Sequence, residues 1–232
     1  MKNKQIISAT LFSLCTANLS AQELTISVTN LTQGIYFTPI IAASHNDTTS
    51  IFNVATSASA ALQALAEGGD ISGVSTMLTS ASANVVENPA MGLLAPATTT
   101  EFNLSTSDGN TYLSMAAMML PTNDGFVGLN SWPVPADAGT YTVMVNAYDA
   151  GTEANDEIIN GGGAPGTPGI PAAPGGDAGT NGTGMVDAQT NANVHIHRGA
   201  LGDDNLTGGA SDLDNRVHRW LNPVVKVTVT VQ

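Results

Sequence analysis

Two acidic segments carry the residue types that bind a hard cation, and each lies at the end of a predicted β-strand. The segments are 121–125 and 148–153. A glycine in each lets the backbone turn, so that main-chain carbonyls can face the same point as the side chains. Calcium takes about six to eight oxygen ligands from carboxylates, amides and carbonyls. The residues that could contribute are Asn123, Asp124, Asp149 and Glu153. Solvated acidic loops are the alternative that residue types alone leave open.

A second candidate site is the pair His195 and His197, which alternation places on one face of a strand predicted over 194–197. A zinc site needs further ligands, and residues 198–201 supply none. Histidines that pack at the surface or in loops are therefore favoured. A metal-dependent hydrolase using these histidines and nearby acids remains an alternative. The sequence has no nucleophile elbow, phosphate loop or His-Glu-x-x-His motif.

A third acidic group comprises residues 202–205 together with Asp212 and Asp214. It lacks the ligand spacing of an EF-hand, in which acids alternate before a glycine and a distant glutamate. We therefore expect these carboxylates to form a solvated face.

Alternation of apolar and polar residues predicts a mostly antiparallel β chain. Regular alternation predicts strands over 24–28, 141–148 and 224–231, and less regular strands are predicted over 36–43, 99–105, 112–120 and 194–197. Pro223 precedes the strand over 224–231, and residues 108–110 predict a turn between two others.

One connection has helical periodicity. Apolar residues recur at spacings of three and four over 58–65, and the glycines at 68 and 69 supply a stop. Residues 71–78 predict a second short helix. We expect the two to form one helical connection in an otherwise all-β chain.

Residues 160–184 differ from the rest because they are dense in Gly, Pro, Ala and Thr and poor in residues that fill a core. The collagen-like triplets are too few to sustain a triple helix. We predict a flexible loop that interrupts one domain, because a strong strand follows it.

The N-terminus predicts export. Lys2 and Lys4 precede an apolar run over 6–14, and small residues close on Ala21. This order is typical of a secretory signal peptide, and the run is too short for a membrane span, which needs about 20 apolar residues. A buried N-terminal helix is the alternative. A lipoprotein signal at Cys15 is disfavoured because Leu14 stands where a small residue is needed. The prediction is a signal peptide over 1–21 and one domain over 22–232, periplasmic, secreted or at the cell surface.

The charge restricts the partners. The formal net charge is −13, and it becomes −15 once Lys2 and Lys4 are removed. Such a chain repels nucleic acid and anionic headgroups and attracts cations. Cys15 is the single cysteine, so the mature chain has no disulfide, and no later apolar run predicts a transmembrane segment.

Five segments resemble the spondin domain in the same order. Residues 29–39 and 64–70 resemble its opening, 119–129 (MLPTNDGFVGL) its first acidic motif, 148–153 (YDAGTE) its second, and 222–228 the closing strand of bacterial members. The resemblance extends over about 23–232 and therefore covers the whole mature chain.

The resemblance implies an antiparallel β-sandwich similar to calcium-dependent membrane-targeting (C2-like) domains, with one structural calcium ion. The ligands that it implies are Asp124, Asp149 and the main-chain carbonyl of Tyr148. Glu153 and Asn123 are added because they lie close by in the sequence. Gly125 stands where animal members have an aromatic residue, so we expect a looser loop and a more weakly bound ion.

The function that these observations predict is a secreted or cell-surface calcium-binding module for adhesion or matrix-type interaction, without catalysis. The partner is expected to be an extracellular protein or a glycan. The alternative is a secreted module that binds a carbohydrate or a lipid headgroup through a calcium-bridged loop end. The sequence leaves the oligomeric state open.

Overall fold

The computed structural model describes residues 21–176, 179, 181–184 and 191–232. The predicted signal peptide, except for Ala21, lies outside the described residues, as do parts of the predicted loop over 160–184. Within the described part of the chain, no helix has the length and apolar character needed to cross a bilayer.

Eleven strands and two short helices form the described fold. The strands are β1 (Glu23–Asn30), β2 (Tyr36–Phe37), β3 (Ile41–His45), β4 (Asn84–Glu87), β5 (Thr99–Ser105), β6 (Tyr112–Leu120), β7 (Gly125–Pro133), β8 (Gly139–Val145), β9 (Ala147–Asp149), β10 (His195–Ile196) and β11 (Val225–Val231). The helices α1 (Ala60–Gly68) and α2 (Ser72–Ser80) connect β3 to β4, and a 3₁₀ turn spans Ser107–Gly109.

The strands form two facing antiparallel sheets, which confirms the predicted all-β sandwich. The smaller sheet has the order β5-β1-β11-β8. The larger has the order β10-β9-β7-β6-β3-β4, and β2 pairs with the end of β6. The first and last strands of the chain, β1 and β11, are central neighbours in the smaller sheet.

The main core lies between the sheets, and strand alternation fills it. Leu24, Ile26 and Val28 of β1 are at most 1% exposed, while the residues between them are partly exposed. Opposite them on the same face lie Val227, Val229 and Val231 of β11. This period of two is what the sequence predicted for both strands.

The helices cover the outer face of the larger sheet. Helix α1 begins after Ser59, whose Oγ accepts a hydrogen bond from the Leu62 amide, and it ends before Gly69 in the left-handed conformation. Leu62 and Leu65 belong to a second buried cluster that includes Phe126 of β7. Both predicted helices are present, and together they form the single helical connection.

Two predicted strands are each divided in the structure. The strand predicted over 141–148 ends at Val145 in the smaller sheet, and the chain passes through Asn146 into β9 of the larger sheet. The prediction of one strand was wrong because the alternation of buried residues continues through this crossing. The strand predicted over 36–43 divides at Pro39, which has no N–H for the ladder.

The long connection between β9 and β11 lies at one end of the sandwich and contains only the two-residue strand β10 within its described residues. A parallel bridge joins Ile159 to Ile170, and Ile170 packs with Ala200 and Leu213 in a small core of its own. Part of the predicted loop over 160–184 is therefore anchored to the domain by a buried side chain, although apolar residues are scarce in it.

We expect Ile26→Ala to lower the free energy of unfolding by about 2–5 kcal/mol, because it leaves a cavity between the two sheets. The neighbouring change Ser27→Ala, on the opposite face of β1, is the matched control and should stay within about 0.5 kcal/mol of wild type. Urea unfolding of the mature chain measures both. Equal effects would contradict the placement of the core.

Candidate functional site

The first acidic motif lies in the turn between β6 and β7, at the end of the sandwich that carries the long connection. The chain leaves β6 at Leu120 and enters β7 at Gly125. Thr122 fixes this turn, because its hydroxyl donates to the Met119 carbonyl at 2.6 Å and accepts the Gly125 amide at 3.0 Å. Asp124 is thereby held at the mouth of β7 and is completely buried.

One oxygen of Asp124 binds the second motif. Its Oδ2 accepts hydrogen bonds from the amides of Thr152, at 2.8 Å, and Glu153, at 3.1 Å, and from the Thr152 hydroxyl at 3.2 Å. Its Oδ1 is buried and receives no hydrogen bond within the described residues. The carboxylate is therefore half satisfied, with one oxygen that needs a proton or a cation.

Asp149 ends strand β9 and pairs in register with Gly125, the residue after Asp124. It is 2% exposed. Its Oδ1 accepts the Gly151 amide and its Oδ2 accepts the Asn155 side chain, both at 2.8 Å. Both oxygens of Asp149 thus have neutral donors, which hold the group in place without neutralising its charge.

The two carboxylates repel one another. Burial, followed by the negative charge of Asp149, raises the pKa of Asp124 to about 6, although the amides of Thr152 and Glu153 oppose that rise. Asp124 is therefore largely ionised at neutral pH but costly to ionise. A cation between the two groups would remove this cost.

Glu153 and Asn123 lie beside this pair. Glu153 Oε2 accepts the Gly169 amide at 3.0 Å, and its Oε1 is buried without a hydrogen bond among the described residues. Burial raises the pKa of Glu153 to about 7, and the charge of Glu67 adds to the rise. Asn123 donates to Asp156 at 2.8 Å, while its oxygen accepts the Glu157 amide at 3.2 Å. The Asn123 oxygen is therefore already engaged.

The carbonyl of Tyr148 lies inside the larger sheet, since β9 is flanked by β7 and β10. Antiparallel ladders direct alternate residues to alternate neighbours. The Ala150 amide donates to the main-chain carbonyl of Asp124, and the Gly128 amide donates to the Asn146 carbonyl. Tyr148 lies midway between these two bonds and pairs with Phe126 of β7, so its carbonyl accepts a ladder hydrogen bond from that strand. One lone pair of its carbonyl is therefore used in the ladder, and only the other could bind a cation.

The five predicted site residues are thus brought to one loop end, but they do not form a complete metal cage. Among the described residues, no group of three or more His, Cys, Asp or Glu side chains is arranged to hold a metal ion. The buried oxygens without a hydrogen bond among the described residues are Asp124 Oδ1, close enough to Asp149 to be affected by its charge, and Glu153 Oε1. Calcium also accepts main-chain carbonyls and water as ligands.

Gly125 leaves no room for a side chain at its position. A Cβ built on Gly125 would lie 2.7 Å from Thr122 Oγ1 and 3.1 Å from the His197 ring. His197 takes this space and packs against Trp220, with ring centroids 4.9 Å apart. Hydrogen bonds of Thr122 hold the turn and the His197 ring fills the space beside Gly125, while the looser loop and the weaker ion stay predictions.

The two histidines have separate surroundings. His195 Nε2 is 3.6 Å from Asp149 Oδ2, and its Nδ1 lies 2.8 Å from the Asn193 carbonyl. His197 instead packs on Trp220, and its Nδ1 accepts the Gly199 amide. The packing role favoured by the sequence agrees with these contacts, and His195 also lies beside the acidic pair.

The third acidic group is a solvated face only in part: Asp204 is exposed and Asp203 and Asp214 are partly exposed, whereas Asp212 is only 7% exposed. Asp212 accepts the amides of Ile159 and Gly182, each at 2.8 Å. Asp203 likewise accepts three main-chain amides. The expectation was wrong for Asp212, because its carboxylate accepts main-chain amides from two other loop segments and is buried between them.

Sequence reasoning missed Glu67, a fully buried carboxylate of α1. Its Oε2 accepts the Gly166 amide at 2.6 Å, and its Oε1 accepts from Gln63. An isolated glutamate on the apolar face of a helix was the available signal. Its partner, 99 residues away, could not be inferred from spacing.

A family model described as Spondin_N matches residues 29–157. The match covers more than half of the chain and includes both acidic motifs. No curated protein sequence matches the chain.

We expect the free energy of unfolding, measured in EDTA, to lose a contribution from Asp124 as the pH rises from about 4 to about 6. The folded pKa of Asp124 is above its unfolded value of 3.8, so its stabilisation is present below 3.8 and is lost as pH rises through about 6. The loss is ~3 kcal/mol. Glu153, raised from 4.5 to about 7, extends the same trend upward.

Urea unfolding of wild type and Asp124→Asn across this pH range measures the contribution as a difference. Asparagine can accept the Thr152 and Glu153 amides but does not titrate, so the variant should gain on wild type as the pH rises. If the free energies of unfolding of the two proteins change in parallel with pH, the raised pKa of Asp124 is contradicted.

Proposed function

The chain belongs to the Spondin_N family, and from this membership we propose that it is an extracellular, non-catalytic adhesion or matrix-interaction module whose loop end holds one structural calcium ion. Spondin domains are extracellular-type and generally non-enzymatic. The proposed ion lies between Asp124 and Asp149, where the turn into β7 meets the end of β9.

The observation that carries the calcium proposal is the buried Oδ1 of Asp124, which receives no hydrogen bond among the described residues. An unsatisfied buried charge is strongly unfavourable, and here a second carboxylate adds repulsion. A divalent cation relieves both costs, whereas a proton relieves them only at acidic pH. A hard oxygen pair of this kind favours calcium over soft metals.

The remaining coordination is proposed from nearby groups. Glu153 Oε1 is buried without a hydrogen bond in the described chain, and the charge of Asp124 contributes to the raised pKa of Glu153, so we propose it as a further ligand. The Tyr148 carbonyl and the Asn123 oxygen each have one lone pair beyond the bond that they already accept. Because few charged ligands contribute, we expect weak binding, with a Kd of about 10⁻⁴–10⁻³ M, as in extracellular modules.

Such a site would be empty at cytosolic calcium concentrations and filled outside the cell. The predicted signal peptide and the excess of acids agree with that location. The cation would stabilise the loop end by joining β7, β9 and the long connection, and that end would then present a fixed surface to an extracellular partner.

We expect calcium to raise the melting temperature of the mature chain at neutral pH. At about ten times Kd the stabilisation is ~1.4 kcal/mol, or about 3–6 °C for a chain of this size. Asp124→Asn and Asp149→Asn should each lose most of the shift, because each removes a ligand charge.

Asp137→Asn is the matched control, since Asp137 is exposed on the β7–β8 turn and the charge change is the same. It should keep the full calcium shift. An absent shift in wild type, or an equal shift in all four proteins, would contradict a site between Asp124 and Asp149.

A further inference from the structure

A cavity of about 420 Å³ lies at the same end of the molecule but is formed by different residues from the acidic pair. Four segments line it, namely 33–36 before and within β2, Pro96, 174–176, and 203–218 of the long connection. Its volume falls within the range of small-molecule sites, about 300–1,000 Å³.

The cavity has a ring-bearing, partly apolar wall. Tyr36, Pro96 and Pro174 contribute rings, while Leu206 and Val217 contribute aliphatic groups and are 54% and 38% exposed. The segment 174–176 packs closely against Tyr36, since a Cβ built on Gly175 would lie 2.8 Å from the Tyr36 hydroxyl. Such a surface suits the face of a ring-shaped ligand.

Neutral donors accompany that wall. His218 Nδ1 accepts the Asp214 amide at 3.0 Å, so the hydrogen of the neutral ring is on Nε2. Burial lowers the pKa of His218, which favours this neutral form. Asn205 Oδ1 accepts from Thr207, which leaves the Asn205 Nδ2 group to donate to a ligand. Gln33 adds an exposed amide at the rim.

The carboxylates of the lining are fixed acceptors, each already bound by the chain itself. Asp203 accepts three main-chain amides, and Asp212 accepts two. Asp214 forms an ion pair with Arg216 at 2.9 Å. The amide donors hold these carboxylates in place without neutralising their charge, and Asp203 Oδ1, which accepts one amide, keeps a lone pair for a ligand hydroxyl. The negative charges of the lining disfavour an anionic ligand.

We propose that this cavity binds a neutral saccharide ring, with the Tyr36 wall against the face of the ring and the Asn205 and His218 donors and Asp203 acceptors around its hydroxyls. Mixed donors and acceptors beside a ring surface match a sugar, which has an apolar face and hydroxyls that both donate and accept. The site contains neither Asp124 nor Asp149 and does not depend on the calcium ion.

The test is NMR titration of the ¹⁵N-labelled mature chain with methyl glycosides of glucose, galactose, mannose and N-acetylglucosamine. We expect at least one of them to shift the amides of Tyr36, Asn205 and His218 at millimolar concentration. Glucuronate and Nα-acetyl-lysine amide are the anionic and cationic probes. No shift with any glycoside at tens of millimolar, or a shift with the lysine derivative alone, would overturn the proposal.

Val217→Trp fills the cavity, and Leu221→Trp is its matched control, because Leu221 is 85% exposed and outside the lining. Val217→Trp should weaken glycoside binding at least tenfold, whereas Leu221→Trp should leave it unchanged. Leu206→Trp is a second filling variant on an exposed residue, in case the first fails to fold. Wild-type affinity in both folded filling variants would overturn the assignment.

Repeating the titration in EDTA, and with Asp124→Asn, separates this site from the calcium site. The glycoside shifts should persist under both conditions, even if calcium never binds. Loss of binding under both would move the saccharide site to the acidic pair and overturn its placement in this cavity.

Discussion

The loop end of this sandwich depends on a buried carboxylate that is only half satisfied. Asp124 must remain at the mouth of β7 because its Oδ2 accepts the amides of Thr152 and Glu153, which turn the chain after β9. That position also forces Asp124 toward Asp149 and leaves its Oδ1 without a donor in the described structure. The same contact therefore organises the fold and creates the need for a cation or a proton.

Carboxylates have a wider structural role in this chain, which has nineteen acids and only six basic residues. Glu157 illustrates it: the side chain is 6% exposed and accepts the amides of Leu201 and Gly202 and the Ser211 hydroxyl. Glu67 holds Gly166 in the same manner. Side-chain acceptors thus take the place of a strand partner for glycine-rich loops, whose main-chain amides would otherwise be unpaired.

The sequence predicted the elements whose pattern is local. Strands β1 and β11 follow their alternation closely, β5 and β6 span the ranges predicted for less regular strands, and α1 ends where its glycines predict. Strand β7 has no alternation to read over Gly125–Leu129, because both of its faces are buried. The crossing at Asn146 was hidden because alternation does not reveal which sheet a strand joins. For the site, the motifs identified the acids, but the unsatisfied Oδ1 and the Glu67 contact depend on residues distant in sequence.

We propose that a calcium ion satisfies Asp124. A crystal of the mature chain grown with calcium, measured at a wavelength where calcium scatters anomalously, would reveal that ion. We expect one anomalous peak about 2.3–2.6 Å from Asp124 Oδ1 and from a carboxylate oxygen of Asp149. Clear density for both side chains with no peak between them, in crystals at neutral pH, would contradict it.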